Sequence, residues 1–341
     1  MTETPQPPVR RLPDRLPELE TETVSPLSPT RRAVLPPSPD DDADVPFAPP
    51  ADVAKGMRIG LWGASASGKT TFVNALAHVA NNTTDYGRWR VMGMDDGERT
   101  FLTEGKQRLI NEGGFPEATS SGSELRFGFV GQRLDGTETH FVLHVQDRPG
   151  GDFHDRSADM EQVASQLAQC HGFVLLFDPL RERRDSNSAD YLFGMLEYIT
   201  TLLVKSGETK LYLPFEVAVC VTKWDDPGVF MPARAAGWGT QDRPDGAPRV
   251  KDHDAKAYFS WACRYFGADV GQRVDRILEK YFDPARTCYF VSSSVGFRRY
   301  DGERFDARKF ANVQGNRISQ INPINVIEPF LELERRLRSR R

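Results

Sequence analysis

The residues best suited to chemistry are Gly63-Ala64-Ser65-Ala66-Ser67-Gly68-Lys69-Thr70, with Thr71 after them. The spacing is G-x-x-x-x-G-K-T. Gly63 and Gly68 let the backbone curl with no Cβ in the way. A curled backbone turns successive N–H groups inward, and a helix starting at its end adds its positive pole, so the loop can cradle a polyphosphate. Lys69 is placed to reach the β- and γ-phosphates, and the Thr70 hydroxyl to ligate Mg²⁺. The motif carries weight because of its context: an apolar strand, Met57 to Gly63, runs into it and a helix, Thr70 to about Ala80, leaves it.

Three later segments have the right chemistry to complete a nucleotide site. Asp147-x-x-Gly150 closes an alternating strand; the aspartate can hold a magnesium-bound water, and the Gly150 N–H can meet a terminal phosphate. Thr222-Lys223-Trp224-Asp225 follows a buried strand. A carboxylate at Asp225 can accept from both N1–H and the 2-amino group of guanine, an arrangement adenine lacks. The stem of Lys223 would cover the face of the base. Ser292-Ser293-Ser294 follows the last strand and offers backbone N–H groups to the guanine carbonyl. Ligands of an open α/β sheet bind at the C-terminal ends of its strands, and all four segments occupy such positions.

In this order, from about Met57 to Ser294, the segments resemble the Ras-like P-loop GTPase superfamily. More distantly, the long segment before Thr119 and the insertion after Asp225 resemble the layout of bacterial double-GTPase families. The resemblance implies GTP and GDP as ligands, Mg²⁺ as cofactor, and protein effectors or activators as partners. It implies a threonine that closes over the γ-phosphate and Mg²⁺; Thr119 is the candidate, with Thr100 and Thr103 as rivals. Two departures stand out. Thr222 replaces the usual Asn of the base motif. Gly151 occupies the place where the family often has a water-orienting glutamine, with Asp152 and His154 nearby. Slow hydrolysis by the isolated protein is therefore expected, with Lys69 and Thr119 as its catalytic residues. Two other classes stay open: a P-loop ATPase or kinase, for which Thr222–Asp225 would be accidental, and a non-hydrolysing scaffold that holds its nucleotide permanently.

The elements that must position these residues alternate strand and helix, which means an α/β fold with a mostly parallel sheet. It is expected as a three-layer P-loop GTPase domain. Leu125, Phe127 and Phe129 alternate on one strand, Phe141, Leu143 and Val145 on the next, with Asp135-Gly136 turning between them. This hairpin is expected to form an antiparallel edge. The apolar runs Gly172 to Asp178 and Phe215 to Val221 suit strands covered on both faces. A capped helix is expected from Asp96 to Asn111, further helices at 189–204 and about 326–337, and a helical insertion with two helices at about 226–286.

The bulk numbers set limits. The chain has 341 residues and a formal charge of −4, so charge alone gives no reason to expect nucleic acid. Thirteen of its 24 prolines lie in the first 50 residues, beside the acidic run Asp40-Asp41-Asp42-Ala43-Asp44, and no aromatic precedes Phe47. Residues 1–54 are thus expected to be a disordered tail, and 55–341 the folded domain. The four cysteines lack metal or disulfide spacing, no apolar run reaches membrane length, and no secretory signal is visible; a cytoplasmic protein is expected. Five arginines in the last seven residues leave weak membrane contact open.

Overall fold

The computed structural model describes residues 56–64, 67–117, 124–146, 157–185, 188–207, 210–243, 246–267, 273–300 and 304–340. The described residues belong to one compact unit. Its centre is a seven-stranded sheet: β1 (Met57–Gly63), β2 (Arg88–Gly93), β3 (Glu124–Gln132), β4 (Glu138–Gln146), β5 (Gly172–Phe177), β6 (Glu216–Val221) and β7 (Thr287–Val291), in the order β2-β3-β4-β1-β5-β6-β7. From β4 through β7 all neighbours are parallel, with Leu61 beside Val145, Gly63 beside Leu176, Phe177 beside Val221 and Val221 beside Val291. Their carboxyl ends therefore form one rim.

Side-chain alternation sorts the sheet into two apolar faces. Ile59, Leu61, Val174 and Leu176 pack with Phe72 and Leu76 of α1 (Lys69–Asn82) and Phe330 and Leu333 of α9 (Glu328–Ser339). Trp62, Phe173, Leu175 and Phe177 pack on the other face with α3 (Ser157–Ala168), α5 (Ser188–Lys205), α7 (Asp252–Phe266) and α8 (Val274–Tyr281). Every residue of β5 and β6 is buried, which suits the apolar runs Gly172–Phe177 and 217–221, and the burial extends to the charged Glu216 that opens β6.

Two features differ from expectation near the sheet edge. The polar stretch after α1 contains strand β2, so the antiparallel β3 lies one place inside the sheet, between β2 and β4. The pattern Arg88-Trp89-Arg90-Val91 alternates exposed and buried positions, but only Trp89 and Val91 mark it as a strand. The hairpin turn itself forms as the sequence implies, with Gly136 at φ 83° and the Thr137 N–H donating to Asp135 Oδ1 at 2.9 Å.

Helix α2 (Asp96–Lys106) runs on through a π-helical turn at Gln107–Asn111. Its start is a capping box: Asp95 accepts from the Glu98 N–H at 2.9 Å, and Glu98 Oε2 accepts from the Asp95 N–H at 2.9 Å. Buried Glu98 also accepts from the Arg126 N–H at 2.6 Å, which ties the helix to β3. Gly105 packs so tightly on Asn74 of α1 that a Cβ there would lie 1.9 Å from Asn74 Oδ1.

Among the described residues, the segment after β6 holds three α-helices rather than two helices: α6 (Pro227–Ala235) precedes α7 and α8. Asp226 caps α6, accepting from the Gly228 N–H at 2.7 Å, and Pro227 suits its first turn. A short helix α4 (Pro179–Asp185) and two small hairpins, β8 (Arg299–Tyr300) with β9 (Arg304–Phe305) and β10 (Val313–Gln314) with β11 (Arg317–Ile318), were likewise not expected.

Four of the C-terminal arginines form ion pairs within the fold. Arg335 and Arg336 pair with Glu332, Arg338 with Glu334, and Arg340 with buried Glu216 at 2.9 Å. No described helix is long and apolar enough to cross a membrane.

Candidate functional site

The carboxyl rim of the sheet carries several of the residues that the sequence singled out. Gly63 ends β1, and Gly68 adopts φ 90°, a left-handed conformation that a side chain would strain, immediately before α1. Lys69 is buried, and its Nζ donates to the carbonyls of Gly63 at 3.1 Å and Ala64 at 3.3 Å. The loop carbonyls thus hold the ammonium at the loop itself. Ser67 is buried with a hydroxyl that makes no hydrogen bond among the described residues. Ser65 and Ala66 lie outside the described residues, as do Thr119, Asp147, Gly150, Gly151, Asp152 and His154.

Thr70 and Thr71 open α1, both half-buried. Thr70 borders a groove of about 1110 Å³ between α1, α2 and Leu125. A threonine hydroxyl is a hard oxygen of the kind Mg²⁺ takes, an ion that keeps several waters and one or two protein oxygens. The rivals Thr100 and Thr103 line the same groove from α2, where their hydroxyls donate to the carbonyls of Asp96 and Arg99, each at 2.9 Å.

The base-reading segment is built with more constraint than its sequence suggests. The Thr222 N–H donates to Phe177 O at 2.8 Å, and its hydroxyl to the same oxygen at 3.2 Å. Lys223 takes φ 60°, rare for a residue with a side chain, and its Nζ pairs with Asp178 Oδ2 at 2.7 Å. Trp224 is fully buried. Its indole N–H donates to Pro248 O at 2.9 Å, and its ring meets Phe230, Tyr258 and Phe297 edge-on. Trp224 thus pins the loop into α6 and α7. Asp225, also buried, accepts a hydrogen bond from the Ser293 hydroxyl. Burial pushes the Asp225 carboxyl up to about 6, against the opposing hydrogen bond from Ser293.

The three serines divide their work. The Ser292 N–H donates to Val221 O at 2.8 Å and the Ser293 N–H to Ile324 O at 2.9 Å, so both are engaged within the fold. The Ser293 hydroxyl accepts from the Gly296 N–H at 2.7 Å while it donates to Asp225. Ser294 is half-buried, and its N–H makes no hydrogen bond among the described residues.

The structure therefore brings Gly63, Ala64, Ser67, Gly68, Lys69, Thr70 and Thr71 to one part of the rim, and Thr222, Lys223, Asp225 and the serines to another. It adds residues that sequence reading missed: Asp178, Trp224, and Asn325, whose side chain donates to Val291 O at 2.9 Å and props β7. The segment Phe177-Asp178-Pro179-Leu180 held a signal, since an Asp before Pro after a buried strand commonly starts a helix.

No protein-family model matches the chain, and no curated protein matches it. Among solved structures, the chain is similar in fold to the signal recognition particle receptor SRb-GTP/SRX complex from Chaetomium thermophilum, at 13% identity over 71% of this chain and 92% of that one, with a TM-score of 0.35. It is also similar to the Arl6 BBS3 small GTPase from Trypanosoma brucei with bound GppNp, at 11% identity over 83% of this chain and 98% of that one, with a TM-score of 0.32. What the chain itself shows is an α/β fold in which a G-x-x-x-x-G-K-T loop and a buried carboxylate share the carboxyl rim of a mostly parallel sheet.

Proposed function

We propose that this protein is a GTP-binding switch with slow, Mg²⁺-dependent GTP hydrolysis. The observation that supports this most is the seating of Asp225. It is a buried carboxylate held by the Ser293 hydroxyl on the rim that also carries Lys69. A buried carboxylate is costly unless something compensates it, and two guanine N–H donors would do so.

In this reading Lys69 exchanges the Gly63 and Ala64 carbonyls for the β- and γ-phosphates. Backbone N–H groups from Gly63 to Gly68 bind the phosphate oxygens. Thr70 would hold Mg²⁺ directly and Asp147 through water, and the ion would supply positive charge to offset that of the phosphates. Thr119 closes over the γ-phosphate, and the Gly150 N–H senses its presence. Asp225 selects guanine, Lys223 covers the base, and Ser294 offers its N–H to the guanine carbonyl. Loops near Thr119 and Gly150 are then the surface that effectors or activators read, with order that depends on the γ-phosphate. The cytoplasm is the proposed setting, a reading supported by four free cysteines.

Calorimetry of the purified protein with Mg²⁺ tests this. Heat is expected for GTP and GDP and none at matched concentration for ATP. Equal heats for adenosine and guanosine nucleotides, or none for either, would overturn the reading.

A further inference from the structure

Asp178 has no role in the site as read from sequence. It follows β5 directly, is buried, and divides its two oxygens between two tasks. Oδ1 accepts from the N–H groups of Leu180 at 3.0 Å and Arg181 at 3.2 Å, capping the first turn of α4. Oδ2 accepts no hydrogen bond and faces Lys223 Nζ as an ion pair at 2.7 Å.

Lys223 starts from a fixed point on the backbone. Its backbone sits at φ 60°, with neighbours fixed by the bonds from the Thr222 N–H to Phe177 O and from the Trp224 N–H to Ser292 O at 3.1 Å. A residue held in the left-handed region aims its side chain in a direction that the surrounding bonds dictate. The Lys223 side chain keeps 39% of its surface exposed, so its methylene stem remains free to lie against a planar ligand while its ammonium is held by Asp178.

We infer that Asp178 is a positioning residue for the base site: by anchoring the Lys223 ammonium, it holds the lysine stem in the plane that covers the purine, and so sets how long a guanine nucleotide stays bound. This rests on the reading of Thr222–Asp225 as the base-recognition segment. It adds a determinant that lies on a different strand, 45 residues earlier in the chain than Lys223.

Asp178→Asn separates the two tasks, because asparagine caps a helix about as well as aspartate but carries no charge for Lys223. Dissociation of fluorescent GDP from the full-length protein, followed by stopped flow, is the measurement. Asp178→Asn should leave the melting temperature of the nucleotide-free protein essentially unchanged and speed dissociation about three- to tenfold, the effect of losing one part-exposed charge-assisted contact. Lys223→Ala should speed it by a similar factor, and the double variant should be no faster than Lys223→Ala alone. Guanine preference over adenine should survive in all three, since Asp225 is intact.

If the effects of the two single variants multiply in the double variant, or if Asp178→Asn leaves the dissociation rate unchanged, the inference is overturned. Should Asp178→Asn prove unstable, Lys223→Gln tests the same pairing from the partly exposed side, and an unchanged rate there overturns it equally. Wild-type protein that binds no guanine nucleotide would instead sink the site reading itself, a distinct outcome.

Discussion

The Ser293 hydroxyl donates to the Asp225 carboxylate from across two adjacent strand ends, while accepting the Gly296 N–H at 2.7 Å. One small side chain thereby fixes the orientation of the residue proposed to read the base. Preorganised hydrogen bonds of this kind reduce the ordering cost that binding must otherwise meet.

The most direct consequence concerns identity of the base. Asp225→Asn turns an acceptor into an amide that also donates. Xanthine presents a carbonyl where guanine presents its 2-amino group. The variant should therefore prefer xanthosine over guanosine nucleotides, a swing of about 10²-fold, since each mismatched buried hydrogen bond costs about 1–3 kcal/mol. Competition between the two nucleotides in a filter-binding or fluorescence assay reads it. Retained guanine preference would exclude Asp225 as the reader.

Asp225 also makes a pH signature. Its carboxyl is raised from 3.8 to about 6 by burial. Between those values the native protein keeps a proton that the unfolded chain releases. This group therefore favours the nucleotide-free fold most at acid pH, and the contribution is lost as pH rises through about 6. Nucleotide affinity should move the other way, because only the carboxylate accepts both guanine N–H groups. GDP affinity should fall as pH drops below about 6, by at most about tenfold per unit. Titration calorimetry at several pH values checks it, and a pH-independent affinity from 5 to 7 would contradict it.

Turnover should be slow. Gly151 has no side chain with which to orient water, so purified protein should hydrolyse GTP well below about 1 s⁻¹. Lys69→Ala should weaken GTP binding by about 10- to 100-fold through loss of charge-assisted phosphate contacts. Phosphate release under single-turnover conditions, with GTP affinity measured separately, gives both quantities. Turnover at ordinary enzyme rates would refute the argument from Gly151.

Stability, in contrast, should hinge on a residue far from the nucleotide. Glu334 of α9 is completely buried and accepts from Thr139 Oγ1 at 2.7 Å, Arg338 Nε at 2.9 Å and Arg133. Burial pushes its carboxyl up, but these three partners together hold it below the ordinary glutamate range. Glu334→Ala strips the counter-charge from Arg133, itself mostly buried, and should cost about 3 kcal/mol in urea unfolding. Guanine preference should be unaffected. Because the carboxyl is lowered, the stability it contributes is present above the ordinary glutamate range and lost as pH falls through its folded value.

The chain by itself determined the local grammar: where strands and helices alternate, that the G-x-x-x-x-G-K-T loop follows a strand and opens a helix, and that Thr222 to Asp225 follows a strand buried on both faces. Those are set by apolar period, glycine and capping chemistry acting over a few residues, and they are legible in a linear string. Only the tertiary structure decided which distant groups meet. Strand β2 carries little strand signal because this edge strand has only Trp89 and Val91 as buried large apolar residues, between the exposed Arg88 and Arg90. The pairing of Asp178 with Lys223, the bond from Ser293 to Asp225, and the burial of Trp224 among Phe230, Tyr258 and Phe297 all join residues from different strands or helices. Such contacts arise from parallel register and from packing between layers, and a sequence carries no local signal for either.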